Sequence, residues 1–164
     1  MKMFLRAALV VSSLVALPAF AASRVEVAFT HPENFTDIMT DYPDNGSHRD
    51  DLLKVLGPQF AETVSAVLKE GWHLSLTFSD IDLAGDYRAG FPMGMSRVRV
   101  VSEFYAPRLA FDCVVTDAAG RVVAKGHRDI TDHSFLNASS AADRDGFKYE
   151  KRMLRQWARE ELRS

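Results

Sequence analysis

"HLSLTFSDIDLAGDY", His73 to Tyr87, opens as a strand and closes as a turn. Leu74, Leu76 and Phe78 alternate with polar residues, the two-residue period of a strand that buries one face. Ile81 and Leu83 then take the opposite phase. A strand that keeps its apolar side chains on one side through such a change must bulge, and Ser79–Asp80 is the place for it. Gly85 follows, the residue type that permits positive φ at a tight exit. The same stretch holds Asp80, Asp82 and Asp86 within seven residues. Such a cluster can be a metal loop, a carboxylate pair or a corner in the chain.

Working towards the N-terminus, Val25, Val27 and Phe29 alternate as a first strand, and a proline- and asparagine-rich loop follows it. Ser47 with Asp50 three residues later resembles a capping box. From there Leu52, Leu56, Phe60, Val64 and Leu68 recur every four residues, widened by Leu53 and Val67, the stripe of an amphipathic helix. Pro58 lies inside that stripe and predicts a kink, and Gly71 predicts the C-cap. Working towards the C-terminus, Val98, Val100 and Phe104 predict a third strand, and Leu109 to Val115 a fourth. "DAAG", with Gly120, predicts a hairpin turn into a fifth strand over Val122 to Ile130. Phe147 to Leu162 predicts a closing helix. The fold class expected is α+β, a single domain in the order β-α-β-β-β-β-α. Its five-stranded sheet is mainly antiparallel, with the helices packed on one face.

Residues 1–21 read as a signal peptide. Lys2 and Arg6 precede the apolar run "AALVVSSLVAL", and Ala19-Phe20-Ala21 supplies small residues for cleavage before Ala22. The run is shorter than the roughly 20 residues of a membrane-spanning helix, and no transmembrane segment is expected in the mature chain, residues 22–164. Periplasmic localisation follows. Removing Lys2 and Arg6 takes the formal net charge from −2 to −4, an acidic balance that argues against nucleic-acid binding. Cys113 is the only cysteine, so no internal disulfide forms, and its place in the Leu109, Phe111, Cys113, Val115 alternation makes it a small core residue.

The calcium-loop reading of Asp80 fails on its details. An EF-hand loop starting there requires an oxygen ligand at its fifth position and a glutamate at its twelfth, where this chain has Ala84 and Phe91. Asp80 and Asp82 share a strand face, and two carboxylates that close can form an acid/base pair. The structural reading makes Asp80 a turn-former and pairs Asp82 with Arg108 of a neighbouring strand. "HRDITDH" sets His127, Asp129, Asp132 and His133 near one another, but Lys125 on the same strand face opposes a cation. No metal site and no cofactor are expected, since phosphate-binding and dinucleotide glycine motifs, a nucleophile elbow and paired cysteines are all missing. The closing helix places Phe147, Met153, Leu154, Trp157, Ala158 and Leu162 on one face, with Trp157 as the core anchor. Lys148, Arg152, Arg155, Arg159 and Arg163 gather on another as a candidate face for a partner or an anionic surface.

"LTFSDIDLAGDY", "YAPRLAFDCVVTDAAGRVVAKG", "RDITDHSFLN" and "YEKRMLRQWAREEL" together resemble the DUF3016 family of small exported bacterial proteins, from about Val25 to the C-terminus. "DIDLAG" is the most specific piece. The resemblance places the family's motif positions at Asp80, Asp82, Leu83, Gly85, Pro107, Arg108, Asp132, Phe135, Tyr149 and Trp157. It implies an exported single domain and brings no reaction, ligand or catalytic residue. The function expected is a non-enzymatic periplasmic binding or envelope-assembly module, its partner an envelope protein or an anionic surface. The alternative is a metal-dependent or carboxylate-based hydrolase using Asp80 and Asp82.

Overall fold

The alternation around Phe78 forms the strand it predicts, and that strand is the second of a four-stranded sheet. A computed structural model describes residues 24–38, 47–87, 99–138 and 146–162. The expected leader, residues 1–21, lies outside them. The elements are β1 (Val25–Phe29), α1 (Ser47–Ser65), β2 (His73–Asp82), β3 (Asp86–Tyr87), β4 (Arg99–Val100), β5 (Arg108–Thr116), β6 (Val122–Thr131) and α2 (Lys148–Glu161). Short 3-10 turns cover Pro32–Asn34 and Phe135–Ala138. The main sheet has the order β1-β2-β5-β6. β1 runs parallel to β2, and the other two pairings are antiparallel. A parallel pair needs a crossover, and α1 belongs to it.

The change of phase in β2 is a bulge, as expected. The register against β5 slips between Phe78 and Asp80, and the Ser79 hydroxyl donates to the Ala110 carbonyl at 3.3 Å. Phe78 and Ile81 therefore both reach the core, and both are fully buried. Both helices cover that one face. Leu56, Phe60 and Val64 of α1 and Leu154 and Trp157 of α2 join the inward side chains of the sheet in one cluster. Ring centroids run 5.3 Å from Phe60 to Phe78, 5.2 Å on to Phe111 and 4.8 Å on to Trp157. Cys113 is buried among them, its Sγ 3.3 Å from the Gly126 carbonyl.

Three local expectations change. α1 runs unbroken through Pro58 but ends at Ser65, so Gly71 is not its C-cap. Tight turns continue to Leu68, and the Arg24 guanidinium takes the Ser65 carbonyl at 2.9 Å and that of Leu68 at 3.5 Å. Gly71, at φ 76°, instead shapes the turn into β2. Among the described residues the expected third strand contributes Arg99–Val100, paired with Asp86–Tyr87 outside the main sheet, and the main sheet has four strands. Val98 lies outside the described residues, while Tyr105 bonds back to Ser102 in a turn and Phe104 is 79% exposed. That turn diverts the chain before it can join the sheet. No helix among the described residues is long and apolar enough to cross a membrane.

Candidate functional site

Beyond the bulge, Asp80 and Asp82 leave β2 on the face away from the helices, opposite Ala110 and Arg108 of β5. Asp80 is fully engaged. Its Oδ1 accepts from the Thr36 amide at 2.7 Å, and its Oδ2 accepts from the Thr36 hydroxyl at 2.8 Å and from Arg108 Nη1 at 2.7 Å. Arg108 also donates through Nε and Nη2 to both oxygens of Asp129, at 2.8 and 2.7 Å. The hydrogen bond from Arg108 holds the Asp129 carboxyl below its ordinary value. Asp80 and Asp129 flank Ala110 from the two neighbouring strands. Arg108, two residues along β5, reaches both diagonally across that small side chain.

The expected roles of the two aspartates are therefore reversed. Asp80 takes Arg108, and Asp82 does not, although it stands directly opposite in register. The fork of Arg108 is filled by its diagonal partners. Asp82 has no side-chain hydrogen bond among the described residues. Burial raises its carboxyl pKa, the nearby Asp37 and Asp80 charges raise it further, and Arg99 and Arg108 oppose them.

A second cluster clasps the turn after β2. Asp37 runs alongside, its amide donating to the Ile81 carbonyl at 3.1 Å. Arg99 Nη1 reaches the Asp37 carboxylate and the carbonyls of Leu83, Ala84 and Gly85, the last at 3.0 Å. The Ala84 amide donates to Glu150 Oε1 at 2.7 Å, across from α2. Gly85 has φ 90°, and a Cβ there would stand 2.7 Å from the Val100 carbonyl oxygen and 3.0 Å from the Val101 Cα. Both obstacles are backbone, so only glycine fits. Glu150 is 1% exposed and its Oε2 has no hydrogen-bond partner among the described residues. Burial raises its pKa above the ordinary glutamate value, against the pull of the Ala84 amide.

Asp37, Arg99 and Glu150 escape the sequence reading. One signal did point to Glu150. It stands three, four and seven residues before Met153, Leu154 and Trp157, a carboxylate on the apolar stripe of α2.

The remaining candidates divide. Asp132 Oδ1 accepts from the Ser134 amide at 2.9 Å, and its Oδ2 accepts from Arg152 at 2.7 Å. Arg152 also donates to the Phe135 carbonyl at 2.8 Å, so it is a structural tie and leaves the exposed basic face. The Lys148 ammonium lies 5.0 Å from the centre of the Tyr149 ring, which meets Phe135 edge-on. Arg155 and Arg159 are exposed, and Arg163 lies outside the described residues. Trp157 is 4% exposed and docks α2 as expected. His127 meets Asp112 across the strands at 3.1 Å. Among the described residues no three His, Cys, Asp or Glu side chains stand close enough to hold a metal ion.

Asp82 opens on a cleft of about 370 Å³, lined also by Glu103, Phe104, Tyr105, Arg108 and His133. The cleft offers a carboxyl that retains its proton more readily than usual, an imidazole, an occupied guanidinium and an exposed aromatic ring.

A family model described as "Protein of unknown function (DUF3016)" matches residues 23–160, and the chain belongs to that family. No curated protein and no solved structure matches it.

Proposed function

We propose that this DUF3016 chain is a non-enzymatic binding module of the bacterial periplasm, and that it meets its partner through the cleft beside Asp82. One observation carries the reading. Phe104, 79% exposed, stands at a cleft that also holds the motif carboxyl without a hydrogen-bonded partner among the described residues. A large aromatic left in water beside a carboxyl that no described side chain bonds is the composition of an interface anchor rather than of a core. Export rests on Lys2, Arg6, the short apolar run and Ala19-Phe20-Ala21.

The test places a photo-crosslinking side chain at Phe104 in the full-length protein, expressed with its own leader. Support is a discrete adduct from the periplasmic fraction that Asp82→Lys removes, on a chain whose intact mass begins at Ala22. A chain that keeps residues 1–21, or gives no adduct, overturns the reading.

The hydrolase alternative has one observation in its favour, the raised pKa of Asp82 in a cleft that His133 also lines. Asp80 accepts three hydrogen bonds, one of them from a guanidinium, and is a poor base. Turnover of ester or phosphoester substrates that Asp82→Asn abolishes would favour the enzyme.

A further inference from the structure

We infer that the free edge of β6, with the groove between its end and α2, is a strand-addition site for an extended segment of a partner polypeptide carrying an apolar side chain beside a Lys or Arg. The groove and the cleft beside Asp82 share Thr131 in their linings, but the inference rests on other observations than the proposed function does.

β6 is ten residues long and, among the described residues, is the last strand of its sheet, paired only with β5. Every second residue of such a strand directs its N–H and C=O away from its neighbour, a row of backbone groups ready to pair with another chain. Val122 and Val123, at its start, are 57% and 45% exposed. Strand addition takes its affinity from these main-chain bonds and its selectivity from pockets that receive alternate side chains. Such a pocket adjoins the edge. A groove of about 230 Å³ lies between the end of β6 and α2, with Ile130, Met153 and Trp157 supplying its apolar surface.

Two further observations say what belongs there. Trp157 is almost wholly buried, yet its indole N–H has no acceptor among the described residues. Its ring forms part of the groove wall, so an occupant changes the surroundings of that N–H. The charge is one-sided as well. Asp132, Glu160 and Glu161 line the groove, and no cation among the described residues does. Arg152 and Arg128, from outside the lining, answer Asp132 and Glu161. Glu160 has only Gln156, at 2.9 Å, among the described residues. The side chain that completes the set is a cation, next to an apolar one for the floor.

The probes are a short peptide alternating valine and lysine, its valine–glutamate counterpart, and a valine–lysine peptide N-methylated along one edge. Amide and indole resonances of the full chain are followed by NMR during titration. The valine–lysine peptide is expected to shift the β6 amides and the Trp157 indole N–H, and the other two are expected to bind at least about tenfold more weakly. Glu160→Lys, on an exposed helix position, leaves the spectrum folded and weakens the valine–lysine peptide by roughly tenfold. Shifts that map elsewhere, binding that ignores Glu160→Lys, or no binding overturns the inference. So does a chain that self-associates through β6 and excludes the peptide.

Discussion

Two arginines hold the exit of β2, and they do it in different surroundings. The Arg99 side chain is 18% exposed against Asp37 at 16%, and it gathers the carbonyls of Leu83, Ala84 and Gly85. The Arg108 side chain is 37% exposed, bridging Asp80 at 20% and Asp129 at 48% on the helix-free face. Both are arginine–aspartate clusters, and both touch the same motif. The difference lies in what replaces the arginine when it is lost. Water can reach Asp129 and part of Asp80, but it reaches the Arg99 site poorly. The clasp around Arg99 therefore fixes the turn, and the lattice around Arg108 only braces it.

The largest effect that can break this contrast is Arg99→Ala. It leaves a carboxylate and turn carbonyls without their donor, and it should lower stability by about 3–5 kcal/mol. Arg108→Ala should cost only about 1–2 kcal/mol, because solvent takes over its partners. Urea denaturation of both variants measures the gap, and equal losses would remove burial as its cause. Gly85→Ala should side with Arg99→Ala, since its methyl meets backbone at 2.7 Å.

Glu150 sharpens the contrast through pH. A carboxyl whose pKa is raised by folding binds more protons in the native state than in the unfolded one. Its cost is absent below the unfolded glutamate value, grows as pH rises towards the folded value, and is complete above it. Wild-type stability should therefore decline across that window, and Glu150→Gln should flatten the decline. Melting temperatures across the window decide it, and parallel curves for the two proteins would show that Glu150 is not responsible.

The smallest effect is expected on the outer face of α2. Arg155→Glu with Arg159→Glu should change stability by only about 0–1 kcal/mol per site. If an anionic surface is the partner, binding to vesicles containing anionic lipid should fall with these changes and with added salt. Flotation of both proteins with such vesicles is the check. Wild-type protein that fails to float with them would retire the basic face.

The same contrast explains what the sequence could and could not tell. The bulge in β2, the stripe of α1, buried Cys113 and the docking of Trp157 were legible, because each follows from a local period. The β5–β6 hairpin was legible for the same reason. The Arg99 clasp was not. Arg99 meets Asp37 across 62 residues and Ala84 meets Glu150 across 66, and no local pattern encodes such partners. The third strand misled because Val98, Val100 and Phe104 alternate as a strand would, while the 102–105 turn takes the chain out of the sheet. The aspartates misled for a subtler reason. The register does set Asp82 opposite Arg108, but the diagonal reach of a long side chain selected Asp80 and Asp129.

That reversal is also the most direct test of the structural reading of "SDIDLAGDY". Asp80 accepts three hydrogen bonds, whereas the charge on Asp82 is disfavoured by burial and by its acidic neighbours. Urea denaturation of Asp80→Asn and Asp82→Asn at neutral pH, side by side, separates the two. Asp80→Asn is expected to lose about 1–3 kcal/mol, and Asp82→Asn is expected to equal or exceed the wild type. A loss at Asp82 with none at Asp80 would contradict the assignment of Asp80 as the structural carboxylate and of Asp82 as the one free to meet a partner.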